Sequence, residues 1–366
     1  MGIQETIDST QIIDNHAHAV TPLPDDLTPE MFAGYFTEGA GTEQARHTIY
    51  YRRGLRLLEE YFDASSESEL IAARADVDLE SYSKTLMEKA NISHVFQDTG
   101  TPPGIGPDDF AAYTDATIRP VLRIETEAED IIDDDVGFKT FEERFLDRVQ
   151  SALAGDHIAL KSIVAYRTGL DVRNPSRAEA ARAYVEVCER WDGRVEHPVF
   201  NDYLVNLAAD VAAQYDAPFQ FHTGFGDADA HPTGVDPGNL WKFMNERPET
   251  DIVLLHASYP YAQKAGYIVS VQENVYLDLG MTIPFIQHGV ADLLRQVVEL
   301  APTTKLLYSS DGYVIPEWYY LASERIRTDL ATVLTELVED GPITEAYAEE
   351  IAVNILRDNA RYVYGI

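Results

Sequence analysis

Three segments of the chain share one pattern: a short apolar run that stops at a metal-ligand type of side chain. Pro218-Phe-Gln-Phe-His222-Thr-Gly stops at histidine, Asp251-Ile-Val-Leu-Leu-His256-Ala-Ser does the same, and Lys305-Leu-Leu-Tyr-Ser-Ser-Asp311-Gly ends in a carboxylate. Each reads as a buried parallel strand, apolar along its length with small or polar residues at its C-terminal end. In a parallel α/β barrel, residues at the C-terminal ends of different strands converge on one site. A single strand-end histidine is an ordinary polar residue at a loop edge. Three such runs in one chain point to a shared site.

A fourth segment adds to them. His16-Ala17-His18 follows the apolar run Ile12-Ile13-Asp14-Asn15. Histidines at i and i+2 of a strand project from the same face. Both imidazoles can then reach one point beyond the strand end, and neutral imidazole is the commonest protein ligand for zinc-like ions.

The chain has 366 residues, 45% of them hydrophobic, which suits one large barrel core. It has no run of about 18 apolar residues, so no membrane helix is expected. Met-Gly-Ile-Gln-Glu-Thr at the start lacks the features of a secretory signal. Cys188, the one cysteine, is expected as core or semi-buried filler on a helix, and the expected compartment is the cytoplasm. The 62 acidic residues against 28 basic ones give a formal charge of −34. The acids are spread over the whole length, the pattern of a protein made to work in concentrated salt. That charge excludes nucleic acid, which needs clustered Lys and Arg.

Eight strand candidates follow in order: Gln11–Asn15, Ile92–Gln97, Ile118–Ile124, Ile158–Ala165, Pro218–Phe221, Ile252–Leu255, Val275–Leu279 and Lys305–Tyr308. Helical segments such as Asn201–Tyr215 and Asp292–Leu300 separate them. The alternation implies a parallel sheet, and eight repeats with strand-end ligands favour a (β/α)8 TIM barrel, an α/β fold, over an open sheet. No G-x-G-x-x-G follows an early strand, which counts against a dinucleotide-binding fold. The interval after strand one is oversized. It reads as a helical insertion over about 24–90, with strong helical periodicity at Arg46–Phe62, inside a single domain spanning 1–366. On the ligand-bearing face it would wall the substrate pocket; an oligomer contact is the alternative, and a homo-oligomer is expected.

The segments Ile13-Asp-Asn-His-Ala-His18, Leu160-Lys-Ser-Ile-Val-Ala-Tyr-Arg167, Phe221-His-Thr-Gly-Phe-Gly-Asp227, Leu255-His-Ala-Ser-Tyr-Pro260, Val275-Tyr-Leu-Asp-Leu279 and Leu307-Tyr-Ser-Ser-Asp-Gly312 resemble the amidohydrolase superfamily. The similarity is to the amidohydrolase-related branch that includes the domain fused to glutamine synthetase in FluG-type proteins. Without the synthetase portion, and with its acidity, the chain reads as a stand-alone relative from a haloarchaeon. The resemblance implies that His16, His18, His222 and Asp311 hold a divalent metal, with His256 beside the activated water or substrate. Zn²⁺ suits the ligands best, with Mn²⁺ as the alternative. In binuclear relatives a carboxylated lysine of strand four bridges two ions. Lys161 is the candidate here, but the expected strand continues well past it, and an internal pairing with Asp14 or Asp98 is the competing reading. One ion is therefore expected.

Such a site can activate water for attack on a carbonyl carbon, with Asp311 accepting the proton and His256 polarising the carbonyl or supplying a proton to the leaving amine. The expected activity is metal-dependent hydrolysis of a C–N (amide) or ester bond. Metal-dependent non-oxidative decarboxylation and sugar-acid isomerisation are the alternatives the resemblance allows. Arg123 and Arg167 stand at strand ends, where a guanidinium can clamp a carboxylate at two points, so a small acidic substrate is expected; salt bridges to Glu125 or Asp171 would be the structural reading.

Overall fold

The computed structural model describes residues 2–366 apart from Asp25, Ala40 and Ser65. Eight strands appear: β1 Ile12–Ala17, β2 Ile92–Asp98, β3 Thr117–Arg123, β4 Ala159–Ser162, β5 Phe219–Phe221, β6 Ile252–Leu254, β7 Val275–Asp278 and β8 Leu306–Leu307. Each pairs in parallel with its sequence neighbour, in the order β1 to β8. Backbone hydrogen bonds close the ring. Asn15 N–H donates to Tyr308 O (3.2 Å), Asp311 N–H to His16 O (3.1 Å) and His18 N–H to Gly312 O (2.7 Å). With helices outside, this is a (β/α)8 TIM barrel. No helix among the described residues is long and apolar enough to cross a membrane.

All eight expected strands are present, and β4 departs furthest from expectation. The apolar run Ile163-Val164-Ala165 leaves the ladder and forms a 3₁₀ turn at Val164–Tyr166. The cause is local. The Ser162 hydroxyl donates to Glu125 (2.6 Å) and accepts from Val164 N–H (3.1 Å), while Ile163 N–H donates to the same Glu125 oxygen (3.0 Å). A serine that bonds the backbone two residues on competes with the sheet, and here it ends it. Lys161 is therefore at the C-terminal end of its strand. The positional objection drawn from a strand running to Ala165 does not hold.

The other end of the barrel is plugged. Ile13, Phe96, Val121, Ala159, Val253, Leu255 and Leu307 form an inner cluster with Ala360, Val363 and Tyr364 of the C-terminal helix Asn359–Tyr364. The Tyr364 ring packs on Phe96 at 4.7 Å, and its hydroxyl reaches Asn15 (3.0 Å) and Gln220 (2.8 Å) inside the barrel.

Among the described residues, five helices lie between β1 and β2. The last, Leu79–Lys89, packs against helix Glu317–Glu339 and β2 as the barrel's own first helix. The insertion proper is the four helices Pro29–Gly34, Thr42–Ala45, Ile49–Tyr61 and Glu67–Ala75. Helix Ile49–Tyr61 buries Tyr50, Tyr51, Gly54, Leu55, Leu57 and Leu58, one face at helical spacing. These residues share a second core with Val314, Ile315, Trp318 and Leu321 of the barrel. A buried ion pair, Arg74–Glu317, joined by the Tyr82 hydroxyl (3.2 Å), pins the insertion to helix Glu317–Glu339. Cys188, expected as filler, is exposed on helix Arg177–Glu189, because the helix turns Ala180, Ala183, Tyr184 and Val187 inward instead.

Candidate metal centre

The strand-end residues meet at the floor of a cavity of about 520 Å³, lined by His16, His18, Lys161, His222, His256 and Asp311. His16 Nε2 lies 3.2 Å and His18 Nε2 3.4 Å from Asp311 Oδ1. Ligand-type atoms of His16, His256 and Asp311 fall within 4.8 Å of one another, as do those of His16, His18 and Asp98. The His222 ring stands 4.6 Å from that of His256. Backbone geometry is part of the construction. His256 and Asp311 adopt φ of 64° and 52°, a left-handed conformation that turns each strand end back over the barrel mouth. Gly280 is required beside them, since a Cβ there would lie 2.5 Å from His256 Nδ1 and Asp278 Oδ1.

Hydrogen bonds fix which nitrogen of each ring carries the proton. The Gln220 amide nitrogen donates to Asn15 O (2.8 Å) and to the Tyr364 hydroxyl, so its oxygen accepts from His16 Nδ1–H (3.0 Å). His18 Nδ1–H donates to Thr101 O (3.0 Å), and His222 Nε2–H to Phe225 O (3.1 Å). In neutral form these three rings keep a lone pair on the other nitrogen, as a metal ligand must. His256 is reversed. Its Nδ1 accepts from Met281 N–H (3.2 Å), so the neutral ring carries its proton on Nε2. Burial holds His16 in the neutral form, lowering it to about 4 with help from the Lys161 cation. Burial also holds His222 and His256 well below the usual histidine range. Burial alone would raise the Asp311 carboxyl, but His256, His16 and His18 outweigh it and hold it well below the usual range. Asp311 Oδ1 is buried without a hydrogen-bond partner of good geometry. Neutral imidazole lone pairs converging on an unsatisfied carboxylate oxygen fit a divalent cation.

Lys161 lies in this centre, with Nζ 3.0 Å from His16 Nε2 and 3.8 Å from Asp98. Burial lowers it to about 8, while Asp98 pulls the other way. Asp14 does not pair with it; its carboxylate holds Ser310 through N–H (2.9 Å) and Oγ (2.5 Å). The two arginines line the cavity, each with one edge on a carboxylate. Arg123 forks onto buried Asp98 (2.6 Å), and Arg167 onto Glu129 (3.3 Å), in place of Glu125 and Asp171.

Sequence reasoning missed several members. Gln220 stands two residues before His222, so the strand period already placed it on the inward face. Asp278 ends β7 and accepts from His256 N–H (3.0 Å) and Asn15 Nδ2 (2.7 Å). Glu38, in the insertion, lines the same cavity, and burial raises it to about 8. No local pattern marked it, because only the tertiary fold of the insertion brings it to the barrel mouth.

The model of the amidohydrolase family (Amidohydrolase) matches residues 177–366, the half of the chain that carries His222, His256 and Asp311. The chain belongs to that family. It is 30% identical over 406 residues to the protein FluG of Emericella nidulans, across 99% of this chain and 46% of that protein. The chain thus spans about half the length of this curated relative. A solved structure from Lactobacillus casei, described as a metal-dependent hydrolase, superposes with a TM-score of 0.91 at 26% identity, covering 100% of this chain and 97% of that one. The uronate isomerase of Thermotoga maritima shares the fold, with a TM-score of 0.68 at 15% identity over 99% of this chain and 96% of that one.

Proposed function

We propose that this amidohydrolase-family chain is a metal-dependent hydrolase that cleaves an amide or ester bond of a small, carboxylate-bearing substrate. The observation that carries the reading is the pair of imidazole nitrogens of His16 and His18, 3.2 and 3.4 Å from the unsatisfied Asp311 oxygen, with His222 and His256 lining the same cavity. His16, His18, His222 and Asp311 would hold one divalent ion, Zn²⁺ by ligand softness, with Lys161 as a fixed cation beside them. When bound, that ion supplies Lewis acidity, polarising a carbonyl and making water more acidic.

The residues of the chain do the rest. Asp311 takes the proton of the attacking water as the C–O bond forms. Asp311 then gives that proton to the leaving nitrogen or oxygen as the scissile bond breaks, while the neutral His256 ring hydrogen-bonds through Nε2–H to the charge developing on the carbonyl oxygen. The Asn15–Asp278 bond and the Asp278 contact to His256 N–H hold that segment in its left-handed turn. Arg167 and Arg123, each steadied by its carboxylate on one edge, offer the other edge to the substrate carboxylate. The insertion residues Tyr35, Thr37 and Glu38 shield the floor from bulk water.

Two measurements together test the proposal: metal per chain in protein prepared without chelator, and turnover on a panel of N-acyl and ester acids. About one equivalent and hydrolysis of a panel member support it. Two equivalents would make Lys161 a carboxylated bridge, and absence of metal after reconstitution would refute the mechanism.

A further inference from the structure

Away from the barrel mouth, a second cleft of about 450 Å³ lies between the insertion and the barrel. Its walls carry Arg52, Arg53, Arg56, His288 and Arg325, with Glu324 as the one acid among them. That is four of the chain's 28 basic residues in one place, in a protein of charge −34. The position sharpens the contrast. Arg52 and Arg53 follow the start of helix Ile49–Tyr61, whose first turn carries no acidic residue. The N-terminal end of a helix is its positive end, so cations there are disfavoured and anions favoured.

The existing ion pairs leave donors over. Arg325 is engaged at two points by Asp329, but Arg53 touches Glu324 and Arg56 touches Glu59 through one terminal nitrogen each. Arg52 makes no side-chain hydrogen bond or ion pair among the described residues. Long-range repulsion from the acidic surface is no bar, since it is screened beyond about 8 Å at physiological ionic strength. Planar guanidinium forks match phosphate oxygens in pairs.

We infer that this cleft binds a phosphorylated small molecule bearing two or more negative charges, at a site separate from the metal centre. It joins the insertion to the barrel: Ile49, Arg52, Arg53 and Arg56 come from the cap helix, and Glu324, Arg325 and Thr328 from helix Glu317–Glu339. A ligand there clamps the cap. The opposite face of the cap helix holds Tyr50 against Phe285 and Trp318, and Trp318 lines the active cavity.

Titration calorimetry of the metal-loaded protein with fructose 1,6-bisphosphate, inorganic phosphate and sulfate, all at one ionic strength, tests this. The bisphosphate is expected to bind at about one site per chain and roughly tenfold or more tighter than sulfate. Arg52→Gln/Arg56→Gln is expected to lose that binding while keeping metal content and melting temperature, since both side chains are exposed. Hydrogen exchange across residues 28–76 is expected to slow when the bisphosphate is bound. Binding that survives in the double variant, or that does not distinguish the bisphosphate from sulfate, would overturn the assignment, as would no binding at all. None of these readouts depends on turnover at the metal centre.

Discussion

His256 differs from the other three site histidines by the direction of one hydrogen bond. The others donate from their far nitrogen to an oxygen, whereas His256 accepts from Met281 N–H (3.2 Å). A neutral ring that presents N–H to the site can polarise a carbonyl; it is not set up as a neutral ligand through that nitrogen. His256→Asn is therefore expected to lower kcat by about 10²–10³, the usual worth of one donor to a developing oxyanion, with metal content intact. Loss of metal in this variant would make His256 a ligand instead. Arg167→Met tests the other end of the substrate. Removing a two-point contact to a carboxylate costs roughly 2–4 kcal/mol, so kcat/KM is expected to fall about 30- to 900-fold, and Lys at this position to recover only part of it. Unchanged activity with a lower melting temperature would leave Arg167 as a brace for Glu129 alone. The pH dependence follows from burial. Metal binding requires neutral imidazole, and protons compete only below the folded pKa, which for His16 lies at about 4 rather than the ordinary 6.5. Protonation of His16 is expected to displace metal only as pH falls toward about 4, and a release midpoint near 6.5 traced to His16 in metal-dialysis measurements would contradict this. The sequence showed the ligand-type residues because strand period and strand ends are local properties. It could not show the tautomers, since these depend on Gln220, Thr101, Phe225 and Met281, and only Phe225 lies within three residues of the histidine it contacts.

At the scale of elements, alternating apolar runs and amphipathic helices were enough to place all eight strands, because a parallel barrel strand is buried on both faces and reads as a continuous apolar run. The strand whose end was misplaced furthest, β4, fails for a reason hydrophobicity cannot carry. Ile163-Val164-Ala165 is as apolar as the strand before it, and the Ser162–Glu125 bond removes it from the sheet. That shift brings Lys161 into the metal centre. The insertion was legible as helix and as a candidate wall of the pocket, but not the contact that seats it, since Trp318 and Tyr35 lie far apart in sequence. Trp318 holds that contact, with Nε1–H donating to Tyr35 O (2.6 Å) and its ring against Tyr50 and Phe285. Trp318→Ala is expected to cost roughly 3–5 kcal/mol locally, as for a buried aromatic cut to alanine. Hydrogen exchange should rise across residues 28–76 while the barrel strands stay protected. KM should rise as Tyr35 and Glu38 lose their fixed place in the cavity wall. Equal loss of protection in cap and barrel would show that the two unfold as one unit and that the cap has no stability of its own to lose.

For the whole molecule, charge is the term that conditions everything else. A formal −34 leaves the folded state under self-repulsion that no set of local ion pairs removes. Many of the pairs present, such as Arg177–Glu142 and Arg295–Glu336, are on the surface, where each is worth about 0–1 kcal/mol and weakens further as salt is added. Two effects of salt therefore oppose each other: screening removes attraction between paired neighbours and repulsion among the unpaired acids. With 62 acids against 28 bases the second is larger, because at least 34 carboxylates have no cation to lose. As the Debye length contracts from about 10 Å at 0.1 M to about 3 Å at 1 M, repulsion between acids on neighbouring elements fades. The buried Arg74–Glu317 and Arg123–Asp98 pairs, shielded from solvent ions, persist and keep the cap and the cavity wall in place. Melting temperature is thus expected to rise between 0.1 M and about 2 M KCl, steeply at first and then levelling once the Debye length is shorter than the spacing of surface acids. A curve flat over that range would mean that the acids are spaced widely enough not to interact, and a falling curve that surface pairs outweigh the excess charge.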